Sequence, residues 1–245
     1  MNIMNTENNK DIFFPAGTAE VNIIPVMQGE EQMKVESGDL PDTLPILALR
    51  NAVLFPGMVY PVTIGRQKSI TLIKEAEKRD SFIGAVPQVD VTVEDPTEKD
   101  LYEYGTVSRV MKVLEMPDGT ITAIIQGVKR LRMDGVLSYE PYITARVKYI
   151  EDIIPENDNS TKMIAESLKE KAAVIIKSSS FAPKEAVGAL KSIDNYAFLV
   201  NFIATTVEIE NFMEKVQLLG IDDITVRAMK LLQVLDTQIQ LLKIK

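Results

Sequence analysis

The spacing of the apolar residues changes once along this chain, and that change limits the fold more than any single motif does. From Leu44 to Ile150 short apolar runs are bounded by turn residues and in places alternate with polar ones at a period of two. After the polar stretch PENDNST, from Pro155 to Thr161, the period becomes about 3.6, that of a helix. The expected class is therefore α+β, with a β-rich domain at residues 44–151, a linker at 152–161 and an all-α helical subdomain at 162–245. Residues 1–43 read as a mobile acidic tail, because Glu30, Glu31, Glu36, Asp39 and Asp42 face only Lys34 and little apolar surface offsets the cost of ordering.

Within the β-rich part, LPILAL and VYPVTI are strands around a turn at Phe55-Pro56-Gly57-Met58, where Pro presets the second position and Gly accepts the positive φ of the third. GTVSRVMKVLEM and TITAIIQG flank Pro117-Asp118-Gly119 as a hairpin. In the last strand Ile143, Ala145, Val147 and Tyr149 alternate with Thr144, Arg146 and Lys148, so one face is buried and one is wet. One helix interrupts the strands at QKSITLIKEAEKR, with Ile70, Ile73 and Ala76 at helical spacing and Asp80 past its end. It is expected to cover one opening or face of a small sheet that is closed or nearly so.

In the helical half, Ile164, Leu168, Ala172 and Ile175 form one stripe, and the SSSFAP segment stops that helix before Pro183. Asp194 is read as the cap of a nearly all-apolar helix through NYAFLVNFIATT; Ile209, Phe212, Met213 and Val216 form the next stripe, closed by Gly220. A final helix follows Asp222-Asp223, with a heptad seam of Ala228, Leu232, Leu235, Ile239 and Leu242. No stop signal follows LLKIK, which reads as a helix that continues in a longer polypeptide.

The chain contains no histidine and no cysteine, which removes the usual general base, the Ser-His-Asp arrangement, thiolate metal sites and disulfides, and fits a reducing cytoplasm. No Gly precedes a Lys and no GxGxxG occurs, so nucleotide motifs are missing. Lys177 beside Ser178, Ser179 and Ser180 is a helix-ending polar run, since adjacent helical residues do not face each other. The acidic loop from Asp90 to Glu103 lacks calcium-loop spacing and reads as a solvated surface. Catalytic, metal and nucleotide residues are thus expected to be absent.

A net charge of −8 disfavours nucleic acid and anionic membranes as partners, and no apolar run is long enough to span a bilayer. Lys129, Arg130 and Arg132 read as a solvated basic patch. Phe55 and Met58 flank a turn, where burial is hard, and with Tyr60 they are the candidate apolar contacts for a partner. Arg66 and Lys68 are candidate contacts to the acidic tail or to a neighbouring subunit.

LPILALRNAVLFPGMVYPVTIGRQKSI, the DLYEYGTVSRV segment, the PDGT hairpin and the PYITARV strand together resemble the N-terminal domain of Lon, the ATP-dependent protease also called endopeptidase La, and the helical part resembles the subdomain after it. The resemblance implies a PUA-like small β-barrel with one helix, then a helical bundle ending in a long helix that leads to an ATPase module and a Ser-Lys protease domain. Neither module has matching positions here, so ATP, Mg and the catalytic dyad would belong to the missing part and this chain would need no cofactor. The implied partners are unfolded or damaged proteins and further copies of the chain in a hexamer. A stand-alone Lon-domain adaptor or regulator is the alternative, and an RNA-binding PUA-like module is a third reading that the net charge opposes.

Overall fold

The computed structural model describes residues 39–156, 158–179 and 185–244; the reading of residues 1–43 as a tail falls almost wholly outside them. Along the chain run β1 (Thr43–Leu49), β2 (Val59–Ile64), α1 (Gln67–Arg79), β3 (Phe82–Pro87), β4 (Tyr104–Glu115), β5 (Ile121–Ser138), β6 (Thr144–Ile150), α2 (Asn159–Ser178), α3 (Glu185–Ser192), α4 (Tyr196–Thr206), α5 (Phe212–Leu219) and α6 (Ile224–Ile244).

The strands form one mixed sheet in the order β2-β5-β4-β3-β1-β6, and a further pairing of β5 with β6 closes five of them into a ring. Length makes this possible. β5 spends its first part, Ile121 to Gln126, against β2 and its later part, Arg130 to Ser138, against β6. β1 is likewise divided, pairing with β6 over Thr43–Pro45 and running parallel to β3 from Ile46 to Leu49. β2 is consequently left as an edge strand outside the ring. The parallel β1–β3 pair needs a crossover, which β2 and α1 supply.

Local chemistry sets several of these boundaries. The turn before β2 has Gly57 at φ 82°, and Met58 N–H donates to Phe55 O at 3.2 Å, the type II arrangement expected there. Gly119, at φ 84°, turns the β4–β5 hairpin. Asp80 ends α1 in the left-handed region, where its N–H bonds back to the last turn.

The two halves share one hydrophobic core, in which Phe55, Met58, Ile73 and Ile125 from the sheet side join Leu199, Phe202, Leu219 and Leu231 from the helices. The segment read as a linker is part of this junction. Ile153 N–H donates to Asp222 O and Ile153 O accepts from Ile224 N–H, and α2 already begins at Asn159.

Three helical details differ from the sequence reading. Asn195, rather than Asp194, caps α4 by accepting from Phe198 N–H at 2.9 Å. α3 had no counterpart in the apolar pattern. The buried face of α6 is set by Ile224, Ala228, Leu231, Leu235 and Gln238, which turns Leu242 outward to 37% exposure. Packing against α2 and α4 selects this face from two apolar phases that the helix offers.

Asp158 caps α2, accepting from Thr161 N–H at 2.8 Å and from the Ser160 and Thr161 hydroxyls. These bonds hold its carboxyl at about 2, against an ordinary 3.8. A depressed carboxyl contributes its stability above the unfolded value and loses it as pH falls toward the folded one. Thermal melts followed by circular dichroism are expected to show the midpoint falling between pH 4 and 2, with a shallower fall in Asp158→Ala. Parallel curves for the two proteins would remove Asp158 from this account.

Candidate functional site

The ring of strands leaves a gap beside β2. β1 and β2 do not pair, and an open groove of about 490 Å³ runs between them, lined by Leu47–Arg50 on one side and Tyr60–Gly65 on the other. Arg66, Ser69 and Glu94 also line it, and a second hollow of about 260 Å³ continues past them along Gln67, Lys68, Asp95, Pro96 and Tyr142. The two share Ala48, Arg66, Ser69 and Glu94, and so form one path over the start of α1.

Of the residues singled out for apolar contact, only Tyr60 lines this groove. It is half-buried, and burial raises its hydroxyl above the ordinary tyrosine value. The expected exposure of Phe55 and Met58 is corrected, since both are 0% exposed. The reason is non-local: α4 packs over the turn that joins β1 to β2, and Asn201 Nδ2 donates to Pro56 O at 3.2 Å. From the other side, Gly57 N–H donates to Gly127 O, and a Cβ on Gly127 would stand 2.6 Å from Phe55 O.

Arg66 and Lys68 brace the acidic loop. Arg66 donates from one terminal nitrogen to Gln88 Oε1 at 2.6 Å and to Val93 O at 3.4 Å, while its Nε is buried with no acceptor. Burial lowers its pKa, with Arg50 adding a smaller push in the same direction. Lys68 bonds Glu140 at 2.8 Å and Asp95 at 3.2 Å, which raises its pKa. Arg50 pairs with Glu94 at 2.8 Å.

The strongest polar cluster is one that the sequence reading placed on the surface. Arg130 is 1% exposed, which corrects the solvated basic patch. Its Nε donates to Asp152 Oδ1 at 2.7 Å, and one terminal nitrogen reaches Asp222 Oδ1 at 2.9 Å and Leu219 O at 3.0 Å. Arg227, fully buried in α6, donates to the same Asp152 oxygen at 2.8 Å and to Asn201 Oδ1 at 3.0 Å. Burial lowers the Arg227 pKa, and nearby Arg130 does so further. This cluster ties β5, the 152–156 segment, α4 and α6 together. Its geometry is that of a structural junction, with both guanidiniums bonded to carboxylates and carbonyl oxygens of other elements.

Among the described residues no group of three or more carboxylates is arranged to hold a metal ion, and no helix is long and apolar enough to cross a membrane. Ser178 donates its hydroxyl to Val174 O, one turn back in its own helix, at 2.9 Å. Ser180 lies outside the described residues.

Comparison with known proteins agrees with this arrangement. The family model described as the ATP-dependent protease La (LON) substrate-binding domain matches residues 43–237, from β1 well into α6. Lon protease of Flavobacterium johnsoniae is 42% identical over 228 residues, and that of Cytophaga hutchinsonii 38% over 229, each match covering 93% of this chain. The chain spans only 28% of the length of either relative. Among solved structures, the N-terminal domain of Lon protease from the Mycobacterium avium complex superposes with a TM-score of 0.62 at 17% identity, covering 79% of this chain and 98% of its own. The Lon N-terminal domain protein from Xanthomonas campestris gives 0.57 at 18% identity, covering 78% and 97%. A single family model running unbroken through both the sheet and the helices, together with these relatives, shows that the chain belongs to the Lon protease family, within its substrate-binding domain.

Proposed function

We propose that this chain is the substrate-recognition and assembly region of an ATP-dependent Lon serine protease that degrades misfolded, damaged and short-lived regulatory proteins. In this reading the closed strands are a PUA-like barrel at residues 44–151, the helices after it form a bundle at 162–245, and hydrolysis of ATP and peptide belongs to modules outside this chain. It works in the cytoplasm and within a hexamer, where several weak contacts to one client add as avidity. Nucleic acid is not a partner, in keeping with the net charge of −8.

The observation that carries the reading is the groove beside β2. It places apolar and charged side chains together on an open path. The test is fluorescence anisotropy with reduced, carboxymethylated α-lactalbumin, a permanently unfolded chain. Saturable binding is expected, together with no release of phosphate from ATP and no cleavage of casein. Tyr60→Ala is expected to weaken binding about tenfold, or ~1.4 kcal/mol, measured well below its melting midpoint so that the loss is not one of folded protein. A chain that ignores the unfolded probe, or that hydrolyses peptide after stringent purification, would overturn the proposal.

A further inference from the structure

Two sheet edges face the groove with their backbone groups unused. Met58 O accepts from Gly127 N–H at 2.9 Å, and the alternation of an antiparallel pair then aims the backbone of Tyr60, Val62 and Ile64 at β5. Val59, Pro61 and Thr63 point the other way. Pro61, which has no N–H to donate, stands at one of these outward positions, where a strand tolerates proline. On the opposite wall, Ile46 N–H donates to Ile143 O, and Leu49 O accepts from Gln88 N–H. The same alternation turns the backbone of Ala48 toward the groove, where β6 no longer covers it, since the β1–β6 pairing ends at Pro45↔Thr144.

We infer that this groove takes an extended segment of an unfolded client as an added strand along β2, between β2 and the second half of β1, an inference that rests on the client-binding reading above. Main-chain bonds to Val59 and Thr63 hold the segment, whatever its sequence. Side chains of alternate client residues meet the wall that carries Tyr60, Val62 and Leu47. An acidic side chain is favoured at the Arg66 end, because Arg50 and Arg66 outnumber Glu94 in the groove's own lining, with Asp95 farther on in the second hollow beside Lys68, and Arg66 Nε–H has no acceptor. Pro61 removes one donor from the middle of the edge, so the bonds gather at its two ends. That pattern also works against two copies pairing β2 to β2, as edge prolines do.

The test uses the full chain and a nine-residue peptide alternating Val with Thr and ending in Asp. On binding, amide exchange of Val59 and Thr63 is expected to slow at least tenfold. Thr63→Pro, which removes an N–H that makes no bond to β5, is expected to weaken the peptide and unfolded α-lactalbumin by tenfold or more. A scan of N-methyl groups along the peptide needs no variant protein, and its losses are expected at alternate residues. Uniform sensitivity to N-methylation, or undiminished binding to a folded Thr63→Pro protein, would overturn strand addition while leaving client binding intact. Failure of the wild-type chain to bind either probe would overturn both. Concentration-dependent dimers abolished by Thr63→Pro would assign the edge to a second copy instead, and equally overturn the inference.

Discussion

Replacing Asp152 with Ala is expected to lower the folding stability by about 3–5 kcal/mol, read as a shift of the urea midpoint at constant slope. One carboxylate oxygen accepts from both Arg130, at 2.7 Å, and Arg227, at 2.8 Å, and both guanidiniums are out of water. Removing that oxygen leaves two buried like charges whose mutual repulsion is no longer offset. Asp222 still reaches Arg130, and Asn201 still reaches Arg227, so the loss is partial rather than total. Changing Arg130 to Met, Asp152 to Leu and Arg227 to Met together, and leaving the half-exposed Asp222 to water, is expected to cost far less than the single change, since apolar groups replace the buried ions as a set. A midpoint shift worth under about 1 kcal/mol would mean that the cluster contributes little net stability.

Phe55→Ala is expected to cost about 3–5 kcal/mol as well, through lost burial and the cavity left behind. The ring lies in the core shared by both halves, beneath a turn that α4 holds by Asn201. Any loss of client binding in this variant should therefore follow the loss of folded protein, and should recover under conditions that restore the fold. Tyr60→Ala provides the contrast, because Tyr60 is reached from the groove. If Phe55→Ala left the melting midpoint unmoved yet abolished binding, the side chain would have to be a surface contact, contrary to its burial.

Much of the first half was legible because its signals are local. β2 and α1 fall on the segments read from VYPVTI and QKSITLIKEAEKR, and Pro56-Gly57 makes the turn that its residue types demand. What escaped was set at a distance. Arg130 reads as a surface base until Asp152 and Asp222, 22 and 92 positions later, are brought to it. The second part of β5 was hidden for a related reason, since register shifts between Met133 and Ser138 blur the period-two pattern. In α6 the apolar residues support two faces one position apart, and the buried polar pair Arg227 and Gln238 belongs to the face that packing chose. The candidate site was legible only in part: Tyr60, Arg66 and Lys68 line the groove, whereas a turn's residue types cannot show that another helix will cover Phe55 and Met58.

The divided pairing of β1 has a consequence for the order of assembly. Thr43 finds its partner in Arg146, roughly a hundred residues later, so the ring cannot close until β6 has been made. A nascent chain that had reached only the β4–β5 hairpin would carry β1 with one edge bare and the apolar face of α1 without its full cover. Contacts of such long range are entropically costly to form first and slow the search for the native state. On the ribosome, this domain therefore passes through a stage in which it presents the same kind of exposed apolar strand that it is proposed to capture in others.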